Sequence, residues 1–352
     1  MPTVDNFNKY PPFPTGGPVA DLRCLSFSEL LADEESESER LFQSCRETGF
    51  FLVDLRGTSE GEAMLKQAEI AFDLNKKILE LDQEELNKHA FQPPASMFGY
   101  MRPGSGKLED GSPDAMEFYN LAQDDILGTL APSKHPQVVE DNRETFQDFF
   151  YHAHGIMCHL LAHLDKHLGL RRNTLASFSP QDKPSGTSLR LLKNSPQKIG
   201  SHRTSVVGHT DIGPVTMLFN IVGGLQILPA GAENIDANWE YVRPEPGCAL
   251  INLGDAMVQW SGGILRSNMH RVATAPGQQA GCTRYSVAYF LRPASTVSMR
   301  RVAGSDVIPD PEEGEEDEDI SAKDWEKIRV AQILSGKNKP KSTGGRMPKT
   351  RK

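Results

Sequence analysis

Two histidines and an aspartate are spaced so that they could share a metal ion. His209 and Asp211 stand two residues apart in a segment with strand character, and the two-residue period of a strand points both side chains to one face. His270 begins another such segment 61 positions later (270 − 209 = 61), a separation that a β-sandwich can close when its strands pack side by side. The His-x-Asp spacing alone also fits two exposed side chains with no shared ligand, so the surrounding sequence must decide between a metal site and a surface pair.

The ligand types favour iron over a structural metal. Two neutral imidazoles and one carboxylate leave positions open on an octahedral ion, which suits Fe(II) working with O₂ and an organic chelator. A closed zinc site normally has four ligands, several of them thiolates. The five cysteines are scattered and form no CxxC pair, so we predict neither a thiolate zinc site nor a disulfide framework.

Further motifs surround these residues in a fixed order along the chain. They are Gly208-His209-Thr210-Asp211, Thr216-Met217-Leu218-Phe219, Gly224-Leu225-Gln226, Asn252-Leu253-Gly254-Asp255, His270-Arg271-Val272 and Arg284-Tyr285-Ser286. In this order the chain resembles the isopenicillin N synthase-like family of Fe(II)- and 2-oxoglutarate-dependent dioxygenases. The resemblance extends into the N-terminal half through Gly49-Phe50-Phe51, Gly99-Tyr100 and Glu117-Phe118.

The resemblance implies a role for each of these residues. His209, Asp211 and His270 would be the iron ligands, and no catalytic residue is expected beyond them. Arg284 and Ser286 match the pair that grips the carboxylate of 2-oxoglutarate in the family. A guanidinium and a hydroxyl two residues apart on a strand suit this task, because both can donate to one oxyanion.

One position departs from the family pattern. Asn194 stands where many relatives have a tyrosine that helps to bind the cosubstrate. An amide can donate a hydrogen bond, but it lacks the ring and reach of a phenol. We therefore keep Asn194 as a third cosubstrate candidate beside the Arg-x-Ser pair.

Short β-rich segments fill the second half of the chain and must position these residues. They are Ser188–Lys193, Val206–Ile212, Val215–Ile221, Leu225–Leu228, Trp239–Arg243, Cys248–Leu253, His270–Ala275 and Arg284–Leu291. Several strands with close turn signals indicate an antiparallel sandwich or barrel. We predict a mainly β fold with a helical N-terminal region and a double-stranded β-helix (jelly roll) core, whose mouth can hold a cofactor and a ligand.

The first half reads as helices around one buried strand. Ser26, Ser36 and Ser59 each precede a glutamate by three residues, the spacing of a capping box, and residues 49–55 suit a buried strand. Apolar steps of three and four residues predict a long helix over 140–170. His159, His163 and His167 share a face of that helix, but no carboxylate completes a metal motif, so we interpret them as a polar helix face.

These patterns divide the chain into three predicted parts. Residues 1–183 form the helical dioxygenase region, 184–295 the β-helix core and 296–352 a C-terminal extension. The extension begins with an acidic block over 312–319, continues into a short helix over 321–334 and ends in a basic tail. The block and the tail have few apolar residues, so we expect them to be disordered.

Bulk properties favour work on small molecules. With 38% hydrophobic and 24% charged residues and a net charge of −9, the chain has no overall attraction to nucleic acid or anionic lipid. It has neither a secretion signal at its start nor an apolar run long enough to span a membrane. We therefore expect a cytosolic monomer without a nucleic-acid or membrane partner.

The resemblance implies a dioxygenase that uses Fe(II), 2-oxoglutarate and O₂ to hydroxylate, desaturate or rearrange a small organic molecule, in specialised metabolism by analogy. Two alternatives stay open at this point. The first is an Fe(II) oxidase of the same fold that uses no 2-oxoglutarate, since fold does not settle function. The second is a non-catalytic binding or scaffold protein. Because a binding module has no need of open-sited iron ligands, the sequence favours an enzyme.

Overall fold

The computed structural model describes residues 4–93, 96–105, 111, 113–200, 203–312, 317, 319–335 and 340–349. Its helices are α1 (Val4–Phe7), α2 (Phe27–Leu31), α3 (Glu35–Glu47), α4 (Ser59–Leu79), α5 (Gln83–Asn87), α6 (Gln123–Ile126), α7 (Gln137–Glu140), α8 (Arg143–His167), α9 (Asp255–Trp260) and α10 (Ala322–Leu334). Its strands are β1 (Cys24–Ser26), β2 (Phe50–Asp54), β3 (Gly99–Met101), β4 (Met116–Ala122), β5 (Ser188–Asn194), β6 (Thr204–His209), β7 (Val215–Asn220), β8 (Leu225–Ile227), β9 (Glu240–Tyr241), β10 (Cys248–Leu253), β11 (His270–Ala273) and β12 (Arg284–Phe290).

The strands form two sheets, and the order of the strands explains how distant segments meet. The larger sheet has eight strands in the order β1-β2-β10-β7-β12-β5-β4-β3, and the smaller has four in the order β6-β11-β8-β9. Apart from the parallel β1–β2 pair, the strand pairs are antiparallel. The predicted jelly roll is confirmed, and it recruits four strands from the first 122 residues into the larger sheet.

Helices cover the outer face of the larger sheet and stiffen it. Helices α4 and α8 pack on each other, and α4 also lies against β4, β5 and β12. Phe150 of α8 meets Tyr289 of β12 at 6.0 Å between ring centroids, and both side chains are fully buried. Burial on both faces explains why Asn252 is the one polar residue of β10 and why most residues of β7 and β12 are apolar.

The predicted helix starts are only partly right. Helix α2 follows Ser26, whose hydroxyl accepts the N–H of Glu29, as the capping-box pattern predicts. Helix α4 is capped by Thr58 rather than by Ser59, and α3 begins before Ser36 without a side-chain cap. The Ser-x-x-Glu spacing therefore locates all three helices but gives the capping residue of only one, because neighbouring residues compete for the cap.

The histidines of α8 are structural, as predicted. The buried His163 lies 2.9 Å from the carbonyl oxygen of Leu30 and 2.9 Å from the hydroxyl of Ser38. His167 lies 3.0 Å from the same hydroxyl and stacks on Phe42. These contacts join α8 to α2 and α3.

The C-terminal extension differs from the expected disorder. Val307 and Ile308 are buried in the main core, and Asp317 and Asp319 of the acidic block pair with arginines 301 and 300. Residues 340–349 run beside the segment before β11, where Ser267 and Thr343 exchange two backbone hydrogen bonds of 3.0 Å. The other acidic-block residues 313–316 and 318 lie outside the described residues. Ion pairs and backbone pairing thus supply order that the low apolar content does not predict.

None of the helices in the described part of the chain is long and apolar enough to cross a membrane.

Asp165 is a buried carboxyl near the end of α8. Its Oδ1 accepts the N–H of Leu175 at 3.1 Å, whereas its Oδ2 is buried and finds no hydrogen bond within the described residues. Burial raises the pKa of Asp165 from 3.8 to about 6, although backbone N–H groups oppose the effect. The folded state therefore favours the protonated form more than the unfolded chain does.

We predict that Asp165 makes the protein less stable as pH rises. A carboxyl with a raised pKa in the folded state contributes stability that is present below pH 3.8 and lost as pH rises through about 6. The free energy of unfolding should fall by up to about 3 kcal/mol across this range. Urea unfolding at pH 4 and pH 7 should show this loss in wild type and not in Asp165→Asn. The exposed Asp148 of the same helix is the control, so Asp148→Asn should behave as wild type. Parallel pH profiles of wild type and Asp165→Asn would contradict the prediction.

Candidate active site

His209 and His270 are direct neighbours across the smaller sheet. Strands β6 and β11 pair antiparallel with His270 opposite His209, and their ring centroids lie 4.2 Å apart. The 61-residue separation in sequence (270 − 209 = 61) is thus closed by a single strand pair. Phe50 of the larger sheet meets the His270 ring edge-on at 5.3 Å, which links the two sheets beside the imidazoles.

Backbone carbonyls select the tautomer of both rings. His209 Nδ1 lies 2.9 Å from the carbonyl oxygen of Val207, and His270 Nδ1 lies 3.2 Å from that of Asn268. A carbonyl only accepts, so each Nδ1 carries the hydrogen and each Nε2 keeps a free lone pair. Burial, then the neighbouring His270, lowers the pKa of His209 to about 4. That ring is therefore neutral at pH 7 and able to coordinate a metal.

Asp211 completes the cluster from a loop, which corrects one expectation. Strand β6 ends at His209, so Asp211 does not share a strand with it. The Asp211 carbonyl accepts the N–H of Asp255 at 2.8 Å, which fixes the loop to the start of α9. Gly254 permits this approach, because a Cβ there would lie 2.6 Å from the Asp211 carbonyl oxygen. Docking of the loop, rather than strand alternation, aims the carboxylate.

The Asp211 carboxylate is held by one oxygen and free at the other. Its Oδ2 accepts hydrogen bonds of 2.7 Å from Thr216 and from Asn252. Its Oδ1 lies 4.0 Å from His209 Nε2 and 3.8 Å from His270 Nε2. Burial raises the pKa of this carboxyl, but the two imidazoles and the two hydrogen bonds outweigh burial and hold the pKa well below its usual value. The carboxylate is thus ionised.

Three potential ligand atoms converge here, one from each residue, within 4.8 Å of one another. Among the described residues this is the only such group of three His, Cys, Asp or Glu side chains. Two imidazoles and one carboxylate with open positions form the ligand set typical of non-haem Fe(II) oxygenases. The donor set therefore fits an iron ion.

The three predicted cosubstrate residues also meet, on the larger sheet. Arg284 of β12 lies opposite Asn194 of β5. Its Nη1 donates to Ser286 Oγ at 3.0 Å and to Asn194 Oδ1 at 3.4 Å, and its Nε donates to the Gly223 carbonyl at 2.9 Å. Burial lowers the pKa of Arg284 to about 10, so the guanidinium stays charged at pH 7. This is a buried cation without a carboxylate partner among the described residues.

The side-chain amide of Asn194 has an unpaired hydrogen-bond donor. Its Nδ2 is buried and makes no hydrogen bond within the described residues, while its Oδ1 already accepts from Arg284. A buried unpaired N–H is costly unless a ligand satisfies it. The amide can therefore supply the hydrogen bond that the sequence leaves in doubt, and this unpaired donor beside a buried cation fits an anionic cosubstrate.

A cavity of about 220 Å³ opens over His209 and Asp211. It is lined by Met97, Phe98, Asn120, Gly186, Ser188, Arg190, His209, Thr210, Asp211, Ile212, Phe290, Arg292, Glu326, Val330 and Ile333. Phe98 lines this cavity, whereas Tyr100, Phe219 and Leu291 belong to the core.

Several residues of the site have no role assigned from sequence. Thr216 and Asn252 orient Asp211, and their signal is a polar residue inside an otherwise apolar strand. Arg292 and Glu326 line the cavity without any local signal, because α10 reaches the site only in the folded chain. Lys193 of β5 pairs with Glu117 at 2.7 Å.

Known proteins share both the sequence pattern and the fold. Residues 185–293 match the profile of the 2OG-Fe(II) oxygenase superfamily, and residues 18–145 match that of the N-terminal part of non-haem dioxygenases in morphine synthesis. A 2-oxoglutarate-dependent dioxygenase of Glarea lozoyensis is 30% identical over 292 residues, which cover 81% of this chain and 83% of the relative. One of Aspergillus fumigatus is 29% identical over 324 residues, covering 87% and 84%.

Solved structures agree on the fold. A full-length Neurospora crassa protein in complex with alpha-KG superposes with a TM-score of 0.72 at 22% identity, covering 88% of this chain and 96% of that chain. A 2OG-Fe(II) oxygenase family protein from Caulobacter crescentus gives a TM-score of 0.73 at 24% identity, covering 90% and 100%. Since both sequence profiles and a relative of similar length agree, this chain is an oxidoreductase of the 2OG-Fe(II) oxygenase superfamily, a 2-oxoglutarate-dependent dioxygenase with an isopenicillin N synthase-like fold.

Proposed function

We propose that His209, Asp211 and His270 hold the Fe(II) of this dioxygenase, and that Arg284, Ser286 and Asn194 bind the far carboxylate of 2-oxoglutarate. The observation that carries the proposal is the orientation of the three candidate ligands. Both imidazoles have Nδ1 tied to a carbonyl and Asp211 has Oδ2 tied to Thr216 and Asn252, so the remaining atoms are free to face one ion.

When bound, iron and 2-oxoglutarate supply the oxidation of a substrate C–H bond by O₂, with release of succinate and CO₂. The chain's own residues set where this happens. The buried cluster on β5 and β12 would hold one end of the keto acid through charge-assisted hydrogen bonds. The His-Asp-His cluster lies beside the cavity, so a substrate there would be placed next to the metal.

The substrate is a small organic molecule, as the superfamily implies. We infer a role in specialised metabolism, since the cavity combines apolar side chains with arginines, a lining that suits a small natural product with a polar group. That the protein is a monomer and that it is located in the cytosol remain predictions from the sequence. In the alternative oxidase, which would not use 2-oxoglutarate, the buried cation Arg284 and the unpaired Asn194 amide would bind a different carboxylate, so turnover of 2-oxoglutarate distinguishes the two enzymes.

Arg284→Ala is expected to weaken 2-oxoglutarate binding by about 10- to 100-fold, because a hydrogen bond to a charged group contributes about 1.5–3 kcal/mol. The measurement is the visible charge-transfer absorption of the anaerobic Fe(II)–2-oxoglutarate complex, titrated with 2-oxoglutarate. Arg171→Ala removes an exposed arginine outside the cavity lining and should titrate as wild type. A wild type that binds Fe(II) without the absorption band would favour the oxidase, and a wild type that binds no Fe(II) would overturn the ligand assignment.

Asn252→Ala is expected to lower Fe(II) affinity by about 10- to 100-fold, since residues that orient a metal ligand typically contribute this much. It removes one of the two hydrogen bonds to Asp211 Oδ2 while leaving all three ligands in place. Competition with a chromophoric Fe(II) chelator measures the affinity. The exposed Asn87 provides the control Asn87→Ala. An unchanged affinity in Asn252→Ala would mean that Asn252 does not position the carboxylate.

A further inference from the structure

We propose that Arg190 and Arg292 form a subsite for a carboxylate of the substrate in the cavity, which the proposed 2-oxoglutarate residues do not line, with Glu326 of α10 beside it. The inference rests on the proposed function, because it names the substrate class of the same site. The cosubstrate explains the Arg284 cluster, but it leaves the second pair of arginines without a role.

Strand geometry separates the two arginine sites. Residues of even number on β5 and β12 share one face, so Arg190 lies on the face that carries Asn194 and Arg284, and Arg292 follows two residues beyond the end of β12. Arg190 is opposite Ala288, four residues from Arg284, which corresponds to about 13 Å of strand. A keto acid held at Arg284 and the metal therefore leaves Arg190 to a different ligand.

Arg190 is held between aromatic rings with a donor left over. Its guanidinium carbon lies 4.4 Å from the ring centroid of Phe118 and 4.8 Å from that of Phe290. Its Nε is buried and makes no hydrogen bond with any described residue. Cation–π contacts satisfy the faces of a guanidinium but not its in-plane N–H groups. The edge of Arg190 therefore remains available to a planar acceptor such as a carboxylate.

Arg292 has an unsatisfied donor at the same cavity. Its Nη1 is buried without a hydrogen-bond partner in the described part of the chain. Its Nε lies 3.8 Å from Glu326 Oε1, and the two side chains are 14% and 34% exposed. This separation exceeds that of a direct charge-assisted hydrogen bond. Glu326 thus balances the charge of Arg292 loosely, and a ligand carboxylate could replace it.

The charges around the pair favour an anion once the metal is bound. Burial, then the charge of Arg292, lowers the pKa of Arg190 to about 10, and Asp211 opposes the effect. Arg190 therefore stays charged at pH 7. A bound divalent cation would compensate Asp211, so less negative charge would remain to balance the two guanidinium groups. An anionic substrate group restores that balance.

The rest of the lining limits the body of the substrate. Phe98, Phe290, Val330 and Ile333 provide apolar surface in a cavity of about 220 Å³, which is below the range of about 300–1,000 Å³ for drug-sized ligands. Helix α10 contributes Glu326, Val330 and Ile333. We therefore expect a carboxylic acid with a small apolar body, such as a single ring.

The test compares 4-fluorobenzoate with 4-fluorobenzamide, which share the ring but differ in charge. Binding to the anaerobic Fe(II)–2-oxoglutarate enzyme, with 2-oxoglutarate saturating, is measured by ¹⁹F NMR line broadening. The acid should bind wild type at least about tenfold more tightly than the amide, the effect of about 1.4 kcal/mol from one charge-assisted contact. Equal affinities, or no binding of the acid, would overturn the proposal.

Variants assign the preference to the named residues. Arg190→Gln and Arg292→Gln should each weaken binding of the acid by about tenfold or more and leave the amide unchanged. Glu326→Gln should strengthen binding of the acid several-fold, because a competing carboxylate is removed. Arg171→Gln, exposed and outside the cavity lining, should match wild type. Unchanged affinity for the acid in all three cavity variants would also overturn the proposal.

The charge-transfer band separates failure of this proposal from failure of the proposed function. A wild type with the band but without preference for the acid contradicts only the carboxylate subsite. A wild type without the band contradicts the cosubstrate assignment. Arg190→Gln could lose the band or fail to fold. In that case two measurements still test the carboxylate subsite: the comparison of acid and amide in wild type, and the affinity of Glu326→Gln, a variant of α10, for the acid.

Discussion

The antiparallel pairing of β6 with β11 is the constraint on which the site depends. It sets His209 directly opposite His270, so two imidazoles that are remote in sequence are held at the separation of neighbouring strands. The third candidate ligand, Asp211, is added by the loop that leaves β6 and docks on the first residues of α9. A shift of one residue in this register would turn one imidazole to the opposite face of the sheet and remove it from the cluster.

The larger sheet holds a charged side chain, Arg284, in the interior of the protein. Arg284 is 5% exposed, and a buried charge is tolerated only when it is hydrogen-bonded and balanced. Ser286, Asn194 and the Gly223 carbonyl accept hydrogen bonds from it, but all three are neutral. No carboxylate among the described residues pairs with this cation, and the proposed dicarboxylate cosubstrate would provide the counter-charge. Further along β5, Arg190 is a second cation, whose Nε is buried, and Arg292, just beyond the end of β12, has Glu326 as a loose counter-charge.

Much of this could be predicted locally. The strands carrying the motif residues, the buried strand at 50–54 and the long helix of α8 follow from apolar periodicity, and their observed bounds differ from the expected ones by only a few residues. The ends differ because capping and loop docking decide them: Thr58 replaces Ser59 as a cap, and Asp211 lies beyond the end of β6. The extension was harder to predict, since arginines from elsewhere in the chain pair with its acidic residues, and residues 340–349 pair with the backbone near Ser267.

The sequence by itself determined which residues can do the chemistry, because ligand types, their order and the two-residue spacing of Arg284 and Ser286 are local properties of the chain. It also indicated the fold class, through several short β-rich segments separated by turn signals. Only the tertiary structure decided which oxygen of Asp211 is free, which nitrogen of each imidazole can coordinate, and that the Asn194 amide has an unpaired donor. The placement of Arg292 and Glu326 at the cavity is equally non-local. These properties depend on hydrogen bonds and packing between segments far apart in sequence, and no local pattern encodes such partners.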